Sequence, residues 1–143
     1  MTLGNTYEFK VEARNTNGYG SASSDFTILH AIAPEVPSTP TTVNSGTNVV
    51  IDWTAPTDNG SAISSYTVTI LQSDGSTYTE DSVNCDGSDS SIVSATQCTI
   101  PLSVLTYPPY FLSSGDYVLA KVLATNVYGS SEASSAGSGA TII

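Results

Sequence analysis

The sequence predicts an all-β fold, an antiparallel β-sandwich built in repeats, and three observations carry that prediction. Apolar and polar residues alternate with period two in several short segments, clusters of Gly, Asn, Asp, Ser and Pro separate those segments, and one strand-like segment occurs twice. Each points to strands with one face buried and one face wet, joined by tight turns.

The alternation is clearest near the start. Tyr7, Phe9, Val11 and Ala13 fall on one side of an extended segment, while Glu8, Lys10, Glu12 and Arg14 fall on the other. Asn15-Thr16-Asn17-Gly18-Tyr19-Gly20 then supplies residues that tolerate positive φ, which predicts a turn into a second strand near 24–31. Residues 1–32 are therefore expected to form only a two-stranded hairpin, and 33–37, with Pro34 and Pro37, a stiff linker.

The turn clusters divide the rest into a full set of strand signals: 39–43, 48–54, 64–72, 77–83, 97–100, 116–126 and a last one near 132–143. Residues 38–143 thus read as one complete sandwich domain, since such domains take about 100 residues.

The duplicated segment sets the repeat. Residues 4–18 align without a gap on 115–129, an offset of 111 residues measured from Gly4 to Gly115, and both copies share Gly, Lys, Val, Ala, Asn and Gly at matching positions. One repeat is therefore about one domain long.

These residues resemble the fibronectin type III family. Trp53, Pro56, Asp58-Asn59-Gly60 and Tyr66 stand as do that family's core Trp, following loop and core Tyr. The family's penultimate strand, Gly-x-x-Tyr-x-Phe-x-Val-x-Ala-x-Asn-x-x-Gly, is matched by residues 4–18 and, with Val118 and Ala120 replacing the two aromatics, by 115–129. The resemblance implies an immunoglobulin-like sandwich with Trp53, Tyr66 and Val122 in its core, and Tyr7, Phe9 and Val11 in the core of a preceding repeat. An uncompleted hairpin would expose those last three. Completion is expected from further strands of a longer tandem array, or from a neighbouring copy by strand complementation.

Composition narrows the function classes. Thirteen acidic residues against Lys10, Arg14 and Lys121 give a formal net charge of −10 and a pI near 4.1, which repels phosphate backbones and excludes nucleic acid as a partner. No apolar run is long enough to cross a bilayer. Charged residues are only 11%, so hydroxyls and amides supply the polar surface, as on extracellular proteins. The start of the chain lacks the features of a signal peptide, so secretion would need one outside this stretch.

Cys85 and Cys98 are close enough in sequence to close a short loop and read as one disulfide; the alternative is two unpaired buried thiols. Asn59-Gly60-Ser61 is an N-glycosylation sequon on an expected exposed loop, and the serines at 21–24 and 130–131 are candidate O-glycan acceptors.

Catalysis finds little support. His30 is the sole histidine, with no carboxylate or cysteine near it in sequence. The acidic excursion from Glu80 to Asp89 offers oxygens to calcium but lacks the spacing of an EF-hand, and reads as a solvated loop; no cofactor is called for. Arg14 is the only arginine and no Arg-Gly-Asp occurs, so integrin recognition of that type is excluded.

One surface signal remains. On strand 116–126 the outward face carries Tyr117, Leu119 and Leu123 around Lys121, and an apolar outer face needs a cover. Either the insert Tyr107 to Leu112 or a neighbouring repeat would supply it. The expected function is a structural subunit of an extracellular filament or cell-surface array of tandem domains, partnered by its own repeats and by glycans. The alternative is an adhesive module holding a protein or carbohydrate in the loops around Asp58-Asn59-Gly60 and Asn126-Val127-Tyr128-Gly129.

Overall fold

The computed structural model describes residues 1–143. Its first unit is the expected hairpin. β1 (Thr6–Phe9) is followed by a narrow tip of β2 (Arg14–Asn15) and β3 (Gly18–Tyr19), and the chain returns as β4 (Phe26–Leu29). β1 pairs antiparallel with β4, Thr6 opposite Leu29 and Phe9 opposite Phe26.

The second unit is a two-sheet sandwich. One sheet holds β5 (Thr41–Ser45), β6 (Asn48–Asp52) and β9 (Gln97–Pro101); the other is ordered β11 (Gly129–Ser130), β10 (Ala120–Asn126), β7 (Ser65–Leu71) and β8 (Tyr78–Glu80). Every strand pair is antiparallel. The fold is thus an all-β, fibronectin type III-like sandwich. Strict alternation is visible on β10, where Ala120, Val122, Ala124 and Asn126 are buried and the residues between them are half-exposed.

Nineteen buried residues form one core, and all of them lie between Val49 and Ile142. Three ties cross between the sheets. The Trp53 and Tyr66 rings meet edge to face at 5.2 Å. The Thr42 hydroxyl donates to the Val118 carbonyl and accepts from the Ala140 amide, so a buried polar group is satisfied in both directions. Cys85, just beyond β8, is bonded to Cys98 on β9. Both cysteines are buried in the core.

Two helical turns interrupt the strand pattern. α1 (Ser90–Ala95) starts where Asp89 accepts from the Ser91 amide, and it spans the disulfide loop; α2 (Leu102–Leu105) follows Pro101 and buries Leu102 and Leu105. The strand expected over 77–83 stops at Glu80, because the Asp81 carboxylate accepts from the Val83 and Asn84 amides and turns the chain.

The last segment pairs with β10 only in part. Ala120 faces Gly137 and Tyr117 faces Thr141, so the returning chain holds one residue more than its partner and bulges. Gly137 is obligatory there, since a Cβ would lie 1.6 Å from the Pro40 carbonyl oxygen.

The insert before β10 behaves differently from the expected cover. Tyr110 and Leu112 turn inward and join the core, supplying bulk to the core in which Val118 and Ala120 stand where aromatics were expected. Burial first, then the Asp81 and Glu80 carboxylates, push Tyr110 up to about 12, so it is a neutral phenol at any ordinary pH. On the outward side of β10 and of the residues leading into it, Tyr117 is exposed, Leu119 and Leu123 are half-buried, and Lys121 lies 4.3 Å over the Tyr78 ring.

Candidate functional site: the interdomain joint

A group of hydrogen bonds converges where the hairpin meets the complete domain. Asp58 begins the construction by accepting from the Gly60 amide, which turns the loop and holds Asn59 at φ 54 and Gly60 at φ 90. The turn aims the loop's backbone at the linker. The Ile32 amide donates to the Asn59 carbonyl at 3.3 Å and the Glu35 amide to the Thr57 carbonyl at 2.9 Å, while the Asn59 side-chain amide donates to the Ala33 carbonyl at 2.8 Å. Ala31, Pro34 and Pro37 are buried alongside. The linker is pinned to the domain as well as stiff.

Asn126, at the end of β10, is the hub. Its buried amide nitrogen donates to the carbonyls of Ile32 at 2.8 Å and of Asp58 and Ser61 at 3.1 Å, and its oxygen accepts from the Tyr128 amide. One side chain thereby ties linker, loop and final hairpin together. Removing it would strip the Ile32 and Ser61 carbonyls of this donor, while the Asp58 carbonyl keeps the Ser61 amide, at a cost of about 1–3 kcal/mol in all.

The hairpin itself touches the loop through two glycines. A Cβ at Gly60 would sit 2.3 Å from the Gly4 nitrogen and 3.2 Å from the His30 carbonyl oxygen, so only glycine admits the approach. His30 lies at this contact, its ring edge-on to Tyr7 at 6.4 Å and its Nδ1 buried without a hydrogen-bond partner.

Several expectations change in this light. Asn59 was expected as an exposed glycan acceptor; it is only 9% exposed, and the nitrogen that would carry the sugar is bonded to the linker. Of the loops proposed to hold a ligand, Asn59 and Asn126 bind the chain's own linker, while Val127 and Tyr128 of the second loop stay exposed. Tyr7 is half-buried, Phe9 is 41% exposed and Val11 is 73% exposed, because no strand of this chain covers the hairpin's apolar face, whereas Trp53, Tyr66 and Val122 are buried. The acidic excursion spends its carboxylates on local turns: Asp81 as described, Asp86 on Ser88 and Asp89 on Ser91. No three His, Cys, Asp or Glu side chains converge in a way that could hold a metal.

The role of Asn126 was missed in the sequence, although its conspicuous repeat partner Asn15 pointed to the position. Asn15 makes only the local contact, accepting from the Asn17 amide. Without a linker and loop beside it, the same residue is merely a turn former.

No protein-family model and no curated protein matches the sequence. Solved structures do resemble the fold. A crystal structure of three titin domains superimposes with TM-score 0.58 at 20% identity, covering 92% of this chain and 39% of that one. The twitchin kinase region of C. elegans gives 0.55 at 23% identity, covering 77% and 17%. The chicken CNTN1 FN1–FN3 domains give 0.52 at 18% identity, covering 73% and 31%. The chain thus spans well under half the length of each of these proteins. It has the fold of a fibronectin type III-like domain, the kind of unit from which modular proteins are assembled.

Proposed function

We propose that this chain is a non-catalytic structural unit of an extracellular filament or cell-surface array made of tandem fibronectin type III-like domains. The carrying observation is the joint. A hairpin that copies the end of the complete domain meets that domain at the Gly4–Gly60 approach, and the residues just after it, Ile32 and Ala33, are bonded to Asn126 and Asn59. Such a contact fixes successive repeats in line, which is the mechanical requirement of a fibre or stalk.

Supporting features are physical. The Cys85–Cys98 bond belongs to an oxidising compartment, which favours a secreted or cell-surface location. A surface poor in charge and rich in hydroxyls, with Ser21 and Ser24 exposed, suits a glycan-coated array. The sole histidine is committed to the joint, and the carboxylates of the acidic excursion to turns, so nothing is arranged as a nucleophile with its base.

The partner of the hairpin's open face is another repeat of the same type, whether earlier in the same polypeptide or in a neighbouring one. Electron microscopy of the protein purified from its native source tests the proposal. Linear particles or filaments are expected, and a field of uniform compact particles with no lengthwise association would contradict it.

A further inference from the structure

The N-terminal hairpin and the end of the complete domain share hydrogen bonds on either side of the one-residue bulge between Gly137 and Thr141 that the first copy lacks. The Gly4 amide donates to the His30 carbonyl as Gly115 donates to Ile142, and the His30 amide donates to Asn5 as Ile142 does to Asp116. The Val11 amide donates to the Ser23 hydroxyl as Val122 does to Ser134. Gly4 and Gly115 share the left-handed backbone, at φ 80 and 93. The surface that meets the Asp58–Gly60 loop at one end of the domain therefore exists again at the other end, on Gly115 and Ile142.

The two copies differ in what touches them. A Cβ on Gly4 would lie 3.5 Å from the Gly60 Cα, whereas one on Gly115 would meet nothing within 4 Å. Beside Gly115's partner strand, Ile142 and Ile143 line an apolar cleft of about 460 Å³ together with Thr47, Pro101, Leu102 and Thr106. At the other pole of the domain, the turn after Asn126 presents Val127 and Tyr128 to solvent, 82% and 48% exposed.

From this we infer that the pole formed by Gly115, Ile142 and Ile143, with its adjoining cleft, is the docking surface for the Asp58–Gly60 loop of a following repeat, a second copy of this domain. The inference rests on the tandem-array function proposed above and adds to it the location and chemistry of the next joint. The contact is glycine against glycine at its centre, with an apolar cleft beside it that the hairpin copy lacks, since residues 1–32 contain no counterpart of α2. A joint between complete repeats is accordingly wider than the one in this chain.

The test is a tandem chain in which a second copy of residues 32–143 follows Ile143, the position equivalent to Ala31. Amide resonances of Gly115, Thr47 and Thr106 in the first copy, all far from the point of joining in sequence, are expected to shift relative to the single chain, and the two domains are expected to tumble as one body. Thr106→Arg in the first copy, an exposed position that leaves the core untouched, is expected to abolish the shifts and release the domains to tumble separately. Unshifted resonances with independent tumbling in the unaltered tandem chain would overturn the inference while leaving an extended array intact. Insensitivity of a rigid joint to Thr106→Arg would overturn the cleft's part in it. Failure of the array function itself would show elsewhere, as native material without linear assemblies.

Discussion

The two hairpins of this molecule share several equivalent hydrogen bonds, with a bulge only in the second, and meet opposite solvation. Val11 and Val122 donate to equivalent serine hydroxyls, yet Val11 is 73% exposed and Val122 is fully buried. Phe9 is 41% exposed where Ala120 is inaccessible. Backbone pairing and turn geometry are local properties that a duplicated sequence reproduces anywhere. Burial is not local, because it depends on β7, β6 and β9 being present to face the hairpin. Stability therefore resides in one copy, and the other copy holds apolar surface that no strand of this chain covers.

The comparison breaks most visibly with a charge. Val122→Asp places an unpaired carboxylate in a closed core and is expected to cost on the order of 4 kcal/mol, enough to unfold the domain in urea titrations. Val11→Asp should leave the domain's midpoint within about 0.5 kcal/mol, because the side chain already faces water. Equal effects would mean that the first hairpin is covered after all.

Reduction of Cys85–Cys98 comes next. Its sequence separation of 13 residues corresponds to about 3 kcal/mol of loop-closure stabilisation, so the thermal midpoint of the domain should fall on reduction while amide signals of residues 1–32 stay in place.

A finer pair separates the bond from its burial. Ser134→Ala removes the acceptor of a buried Val122 amide and should cost about 1–2 kcal/mol, whereas Ser23→Ala removes the same bond in water and should cost under about 0.5 kcal/mol. Asn126→Ala against Asn15→Ala extends this to the joint: about 1–3 kcal/mol with loosening of the linker for the first, a few tenths (about 0.3 kcal/mol) for the second, read from denaturation and from exchange at the Ile32 and Glu35 amides.

The smallest effect is one of pH at the β7–β8 turn. The Thr77 hydroxyl, then the Thr77 and Ser76 amides, hold the Asp74 carboxyl down to about 2. A carboxylate depressed by folding stabilises the turn above its unfolded value, and that contribution is lost as pH falls from about 4 through about 2. Amide exchange at Ser76 and Thr77, corrected for intrinsic rate, should accelerate across that window while β10 is unaffected.

Much of the architecture was legible because strands with one buried face must alternate, and because a repeat in sequence is a repeat in backbone. Trp53, Tyr66 and Val122 could be placed by alternation and resemblance alone. The two helical turns were hidden, since Ser90–Ala95 and Leu102–Leu105 are too short for a 3.6-residue period to show. Asn59 misled for a different reason: a sequon specifies residue types, while exposure depends on the linker lying against it. The joint was illegible for the same cause. Asn126 and Asn15 are equivalent letters, and only the arrival of residues 32–35 makes one of them a hub.

Amide hydrogen exchange at equivalent positions tests the account most directly, because it reads bond and burial together. In the intact chain Val122 and Ser134 should be protected to near the global stability of the domain, while Val11 and Ser23, bonded in the same way, should exchange by local opening at least about 100-fold faster. Equal protection at both hairpins would contradict the claim that the first is uncovered in this chain while the second is closed into the core.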